Sequence, residues 1–292
     1  MPFAERPLDV WLAARNGMLA ELQQFVNHGV DVDAETRGKI TPLHEASKAG
    51  RLVVVEWLLG KGADLNVRTI ANPGDRGSYS ALHLAVESGH YDVAKRLLTS
   101  GSRVNAKMSD GATALLVATE IARRDLVDLL IESGADVTLC DQMGASPVSA
   151  ALLGNDFDLA TAFLLKGGDV NQRMEPFEAT MLMLSASAKN LPAVQFLLSN
   201  GASITAQDER GQTVLHHSVF GAGVRVTKST WNGKVKEVVE DKPENVMPIV
   251  QLLLRAGAAA QTKDDEGMTP QAWAKKLRLG ALAELLESRG PW

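Results

Sequence analysis

Cysteine is nearly missing from this 292-residue chain: Cys140 stands alone, so the chain by itself builds neither a disulfide nor a thiolate metal cluster and has no need of an oxidising compartment. A reducing setting, cytoplasmic or nuclear, is expected; an effector exported without a cleavable signal would share these features. Aromatic residues make up only 5% of a chain that is 45% hydrophobic, so Leu, Ala and Val must supply the core. That balance suits thin, closely stacked helices better than one thick core. Nowhere do about 18 apolar residues run together, and no membrane insertion is expected. Met1-Pro2-Phe3-Ala4-Glu5-Arg6-Pro7 carries charges and prolines where a secretory signal needs an unbroken apolar stretch. An excess of positive charge is also lacking: the net charge of −5 leaves no basic footprint for a phosphate backbone, which argues against nucleic acid as partner.

What the chain does have is self-similarity. Thr41-Pro42-Leu43-His44 aligns with Ser80-Ala81-Leu82-His83, Thr113-Ala114-Leu115-Leu116, Ser146-Pro147-Val148-Ser149, Thr180-Met181-Leu182-Met183, Thr213-Val214-Leu215-His216 and Thr269-Pro270, at spacings of 39, 33, 33, 34, 33 and 56 residues. A second landmark keeps the same phase. Leu58-Leu59, Leu97-Leu98, Leu129-Leu130, Leu164-Leu165, Leu197-Leu198 and Leu253-Leu254 are each followed by a glycine, at Gly62, Gly101, Gly134, Gly168, Gly201 and Gly257. Thr or Ser supplies an N-cap oxygen and Pro fits the first helical turn, so this pair starts a helix. The double leucine packs a second helix, each side chain worth roughly 1.5–3 kcal/mol when buried, and the glycine stops it by accepting a left-handed backbone.

Thr41-Pro42-Leu43-His44-Glu45-Ala46 together with the 33-residue period resembles the ankyrin repeat. The resemblance implies an all-α repeat solenoid with short β-hairpin fingers and about eight helix pairs. It divides a single domain, 1–292, into an N-terminal cap at 8–33, repeats at 34–67, 68–106, 107–139, 140–172, 173–206 and 207–262, and a C-terminal cap at 263–292. Ala63-Asp64-Leu65-Asn66, Ala135-Asp136-Val137 and Asp169-Val170-Asn171 are then expected as the strand entering each finger. In that frame Leu43, Ala46, Leu82 and Ala85 face the neighbouring repeat, and Lys275, Lys276 and Arg278 suit a cap whose outer side meets water.

Three departures from the repeat stand out. The first finger loop, 69–78, is six residues longer than standard. An insertion at 221–243 alternates β-formers around Asn232-Gly233, a hairpin signal. In the fifth full repeat Met181 and Met183 replace Pro and His, and Lys189-Asn190 stand where glycine is usual, so that repeat is expected to be the least regular.

Catalytic signatures are not found. There is no P-loop, no G-x-S-x-G, no H-E-x-x-H and no kinase set; Gly221-Ala222-Gly223 follows a helix and lacks the third glycine of a dinucleotide loop. His44, His83 and His216 share one family position, where the imidazole ties neighbouring fingers, and His216-His217 point in different directions on one helix, a poor chelate. Asp264-Asp265-Glu266 fall at a finger tip as a solvated run. Asp64-Leu65-Asn66 resembles the asparagine-hydroxylation pattern of animal ankyrin repeats, but hairpin geometry is the favoured reading of it. No catalytic, cofactor-binding or metal-binding residue is assigned, no cofactor is expected, and the chain is not expected to be an enzyme.

The resemblance places a protein partner on the concave surface of finger tips and inner helices: Arg37, Ile40, Lys48, Arg76, Tyr79, Glu87, Glu120, Gln142, Met143, Leu153, Phe177, Arg210 and Phe220, with Trp231 on the inserted hairpin as a second contact. Tyr79, Met143 and Phe177, with Leu153 behind, are expected either to form an apolar groove or to pack between adjacent fingers. The function implied is a non-catalytic adaptor or scaffold. The alternatives are a targeting subunit of an enzyme complex such as a ubiquitin ligase or phosphatase, for which no recruitment box is seen before Trp292, and an assembly chaperone for one client. A monomer is expected.

Overall fold

The computed structural model describes residues 7–70, 76–222, 225–231, 234–240 and 246–287. Among them, eight helix pairs follow one another: α1 (Pro7–Asn16) with α2 (Leu19–Asn27), α3 (Pro42–Lys48) with α4 (Leu52–Gly60), α5 (Ala81–Glu87) with α6 (Tyr91–Thr99), α7 (Ala114–Glu120) with α8 (Arg124–Glu132), α9 (Pro147–Leu153) with α10 (Phe157–Leu165), α11 (Met181–Ser187) with α12 (Leu191–Ser199), α13 (Val214–Gly221) with α14 (Met247–Arg255), and α15 (Pro270–Lys276) with α16 (Gly280–Glu287). The odd-numbered helices are the inner ones of their repeats. The chain divides into two compact units, 1–168 and 169–292. Within the first, α1 packs on α3, α3 on α5, α5 on α7 and α7 on α9, while the outer helices run α4 on α6 and α6 on α8. Within the second, α11 packs on α13, α13 on α15 and α12 on α14.

Each repeat solves the same local problem, the unpaired N–H groups of the first helical turn. Thr41, Ser80, Thr113, Ser146, Thr180 and Thr269 hold extended backbone and accept, through the hydroxyl oxygen, from the N–H three residues on. In three repeats the residue at that third position is a buried histidine that answers in kind. The Thr41 N–H donates to His44 Nδ1 at 3.2 Å, which fixes Nδ1 as the acceptor and leaves the proton on Nε2; Nε2 donates to the Val67 carbonyl at 3.1 Å. His83 repeats this with the Ser80 N–H and the Ala106 carbonyl, and His216 with the Thr213 N–H and the Met268 carbonyl. Ser149 Oγ and Met183 Sδ also accept from the cap N–H, but a thioether has no proton to offer the next finger. Burial pushes His44 and His83 down to about 4, so both rings are neutral.

The second landmark shifts in two repeats. Leu58, Leu97, Leu197 and Leu253 are fully buried, four residues before their glycines, but the equivalents elsewhere are Leu130 and Phe163. Leu165 is instead 84% exposed, and the glycine in left-handed backbone is Gly167, not Gly168. The distance back from the left-handed residue sets which apolar side chain points inward, and a neighbouring leucine does not override it.

The segments expected as strands entering the fingers are turns closed by aspartate. Asp64, Asp136 and Asp169 each accept, through Oδ1, from the N–H two residues on, at 2.8–2.9 Å. Two residues past that position in the repeat, a side chain reaches the next repeat in three cases: Asp33 accepts from the Asp64 N–H, Asn105 from the Asp136 N–H and Asn171 from the Ser203 N–H. Among the described fingers, only that of the fifth full repeat pairs as named strands, β1 (Arg173–Met174) against β2 (Ala179–Thr180). The insertion does form an antiparallel hairpin, β3 (Arg225–Trp231) with β4 (Lys234–Glu240), in register from Arg225 opposite Glu240 to Trp231 opposite Lys234. The Asn232-Gly233 turn and finger residues 71–75 lie outside the described residues.

Each of the seven short linkers between inner and outer helix carries a left-handed residue; the eighth, between α13 and α14, holds the insertion. Gly50 supplies one where a Cβ would meet the His90 ring at 2.6 Å. Ala122 and Lys189 occupy the same place at φ 54 and 60, a conformation that strains an L side chain. Ala122→Gly and Lys189→Gly are each expected to raise stability by about 0.5–1 kcal/mol, read as a higher urea midpoint at unchanged slope.

Candidate functional site

In the first unit, the fingers and inner helices leave a groove of about 320 Å³ between the first and second full repeats. Tyr79 and Glu87 both line it, as do Ile40 and Lys48. Its floor is Leu84 on α5; Ile40 precedes the cap of α3, and Tyr79 precedes that of α5. The Tyr79 backbone is pinned to Thr69, the Tyr79 N–H donating to Oγ1 and its carbonyl accepting from the Thr69 N–H. Ile70, 51% exposed, completes the apolar wall just before the long finger's tip, and Glu45, Lys48 and Glu87 stand at the rim.

Next along the stack comes an ion-pair cluster. The Arg76 guanidinium lies 2.8 Å from Glu120 and 3.4 Å from Asp110, and the hydrogen bond to Glu120 holds it firmly charged. Gln142 belongs to the finger after that, where its Nε2 donates to the Ser109 carbonyl. Met143 at that finger's tip and Leu153 at the end of α9 are 51% and 67% exposed. Tyr79 and Met143 are therefore two fingers apart, with charged side chains on the finger between them.

The second unit carries a different set. Phe177, at the tip of the β1–β2 finger, lies under Arg210 of the next finger, guanidinium to ring centroid 4.4 Å, and its carbonyl accepts from the Glu209 N–H. Phe220 meets the edge of Trp273 at 5.2 Å between centroids, and the Lys276 ammonium sits 4.0 Å from the Trp273 ring centre. The Trp273 indole N–H donates to Asp264 at 2.6 Å, as His217 Nε2 lies 2.9 Å from Asp208. Burial pushes the Asp264 carboxyl up, yet the indole and the Met268 N–H outweigh it and hold it below the usual range. Both aspartates also close their own finger turns. The Trp231 side chain lies outside the described residues.

Ile70, Leu84, Glu45 and Trp273 were not singled out from sequence. Leu84 and Trp273 share a signal, since each stands four residues after its cap, on the turn of the inner helix that faces the finger side. Among the described residues no three His, Cys, Asp or Glu side chains are grouped to hold a metal, and no helix is long and apolar enough to cross a membrane.

The chain belongs to the ankyrin-repeat family: the model for ankyrin repeats, in three copies, matches residues 10–69, 69–141 and 148–226. Repeats of this family generally mediate protein–protein interaction. Among curated relatives, the chain is 27% identical over 211 residues to the putative palmitoyltransferase ZDHHC13 of Danio rerio, covering 71% of this chain and 32% of that protein. It is 33% identical over 178 residues to the B-cell lymphoma 3 protein homolog of Mus musculus, 59% of this chain and 38% of that one. With the ankyrin repeat protein nuc-2 of Neurospora crassa the identity is 25%, over 79% of this chain and 21% of the relative. The chain thus spans well under half the length of each. The crystal structure of the human ASB11 ankyrin repeat domain shares the fold, with a TM-score of 0.58 and 22% identity over 70% of this chain and 89% of that one.

The stacking of Phe177 and Arg210 is an inter-finger contact, so its loss should register as stability. A double-mutant cycle of Phe177→Ala and Arg210→Ala in urea unfolding is expected to give a coupling of about 0.5–1 kcal/mol; additive single effects would contradict it.

Proposed function

We propose that this chain is a non-catalytic protein-binding module that seats an apolar side chain of its partner in the groove lined by Ile40, Ile70, Tyr79 and Leu84. The groove itself carries the reading: an exposed Ile70 and half-buried Ile40 and Tyr79 gather over the buried Leu84 in one recess, apolar side chains of the kind interface cores are made of, and repeat proteins bind on such extended faces. Two carboxylates, Glu45 and Glu87, against one ammonium, Lys48, favour a partner segment with a basic residue beside its anchor. Glu45 is also within 3.9 Å of Arg15, which leaves Glu87 the freer of the two. The half-buried thiol of Cys140 suits a reducing compartment.

Ile70→Glu and Glu87→Lys change exposed side chains and should leave the helical circular dichroism spectrum intact. Each is expected to weaken capture of the wild-type partner, by about 2 kcal/mol or some 30-fold for Ile70→Glu. Equal capture by wild type and both variants, measured by quantitative mass spectrometry after pull-down, would remove this groove from the account.

A further inference from the structure

The side-chain ladder that joins successive repeats lapses at one step in the first unit. Asp33 and Asn105 each bridge to the N–H of an aspartate in the next repeat, but Asn66, which stands in the same place, makes no side-chain hydrogen bond among the described residues. Arg103 occupies the position held by Asp64 and Asp136 in the flanking repeats, so the aspartate that would close the turn is replaced by a cation. Beside it Ser102 stands where Ala63 and Ala135 do, and its hydroxyl is buried with no partner.

At this step the loops leaving α4 and α6 part around a cavity of about 490 Å³, lined by Asn66, Arg68, Ser102, Arg103 and Asn105, beside the Ser80 cap of α5. That volume is within the range of small-ligand sites, about 300–1,000 Å³. Its two guanidinium groups have no carboxylate within ion-pair distance among the described residues, and no acidic residue lines it. Arg68 donates only to carbonyls, those of Ser78 and Lys107. Two substitutions within the chain's own repeat pattern thus meet in one recess; one replaces an anion by a cation, and the other adds a hydroxyl where the repeat is apolar.

We propose that this cavity binds an organic phosphate, its oxygens taken by Arg103 and Arg68 with Asn66 and Ser102 beside them. Guanidinium forks match phosphate oxygens, and the recess exceeds what one inorganic phosphate fills, leaving room for the group that carries it. A phosphorylated side chain and a free sugar phosphate present the same chemistry.

The test is amide NMR of the full chain titrated with inorganic phosphate, phosphoserine and glucose 6-phosphate, against sodium chloride at equal ionic strength. Saturable shifts at Ser102, Arg103 and Asn105 are expected, tighter for one organic phosphate than for inorganic phosphate. Preference for phosphoserine assigns the site to a modified protein segment, and preference for glucose 6-phosphate to a metabolite. Arg103→Glu, an exposed position with no side-chain bond, should weaken binding at least about ten-fold. Ser102→Ala, which restores the residue of the flanking repeats, should weaken it without lowering the unfolding midpoint. No saturable shift, shifts matched by chloride, or undiminished binding by Arg103→Glu would overturn the proposal.

Discussion

A neutral imidazole held between two backbone groups is the contact on which repeat-to-repeat order in this protein depends. His44 accepts from the cap N–H that opens α3 and donates to the Val67 carbonyl in the chain entering the next finger. It thereby fixes where the helix begins and where the following finger sits. A charged ring can still donate to the Val67 carbonyl but cannot hold the cap, because a protonated Nδ1 has no lone pair for the Thr41 N–H. The ring is buried along with Leu43 and Ala46 of the same helix, and that burial is what makes the histidine neutral. Where the histidine is missing, other devices share the load: Ser149 and Met183 retain the cap half of the bond, and the aspartate and asparagine ladder supplies a second line of ties.

Most of this architecture was legible in the sequence because its strongest constraints are local. A Thr or Ser before a helix and a glycine after one each answer a backbone need within a few residues, so the Thr or Ser start located seven of the eight helix pairs, the N-terminal cap pair lacking it. Leu165 was misplaced because Phe163-Leu164-Leu165 offers three apolar side chains in a row, and only helical phase counted back from the left-handed Gly167 tells which one is buried. The finger entries were misread as strands because an aspartate that closes a turn and one that precedes a strand look alike in sequence. Candidate site residues were legible singly and not as a set. Tyr79 and Glu87 line one groove, but Ile70 and Leu84, which complete it, come from a lengthened loop and a helix interior that share no sequence pattern.

The repeats that build the stack and the residues that can bind are therefore different populations. Regular positions recur because each makes the same bond; binding capacity collects where the pattern breaks. The lengthened finger brings Ile70 to the Tyr79 groove, and Ser102-Arg103 open a cavity where the ladder lapses. In the second unit the position four residues after the cap carries His217 and Trp273, each tied to the aspartate of its own finger. There the aromatic surface is braced from beneath by the same carboxylates that shape the turns.

The measurement that bears most directly on the tether is stability against pH. An imidazole in the unfolded chain titrates near its ordinary 6.5, whereas His44 and His83 in the fold titrate at about 4. Between those values the unfolded chain takes up protons that the fold refuses, so their contribution is complete above about pH 6.5 and is lost as pH falls toward 4, by on the order of 3 kcal/mol per ring. His44→Ser and His83→Ser, which install the residue found at Ser149, should lower stability at pH 7.5 and flatten the acid limb, so that each variant's deficit shrinks steadily between pH 6.5 and 4 in urea unfolding. Profiles for wild type and variants that run parallel through that window would show that the rings charge without cost, and the tether would not be what orders the repeats.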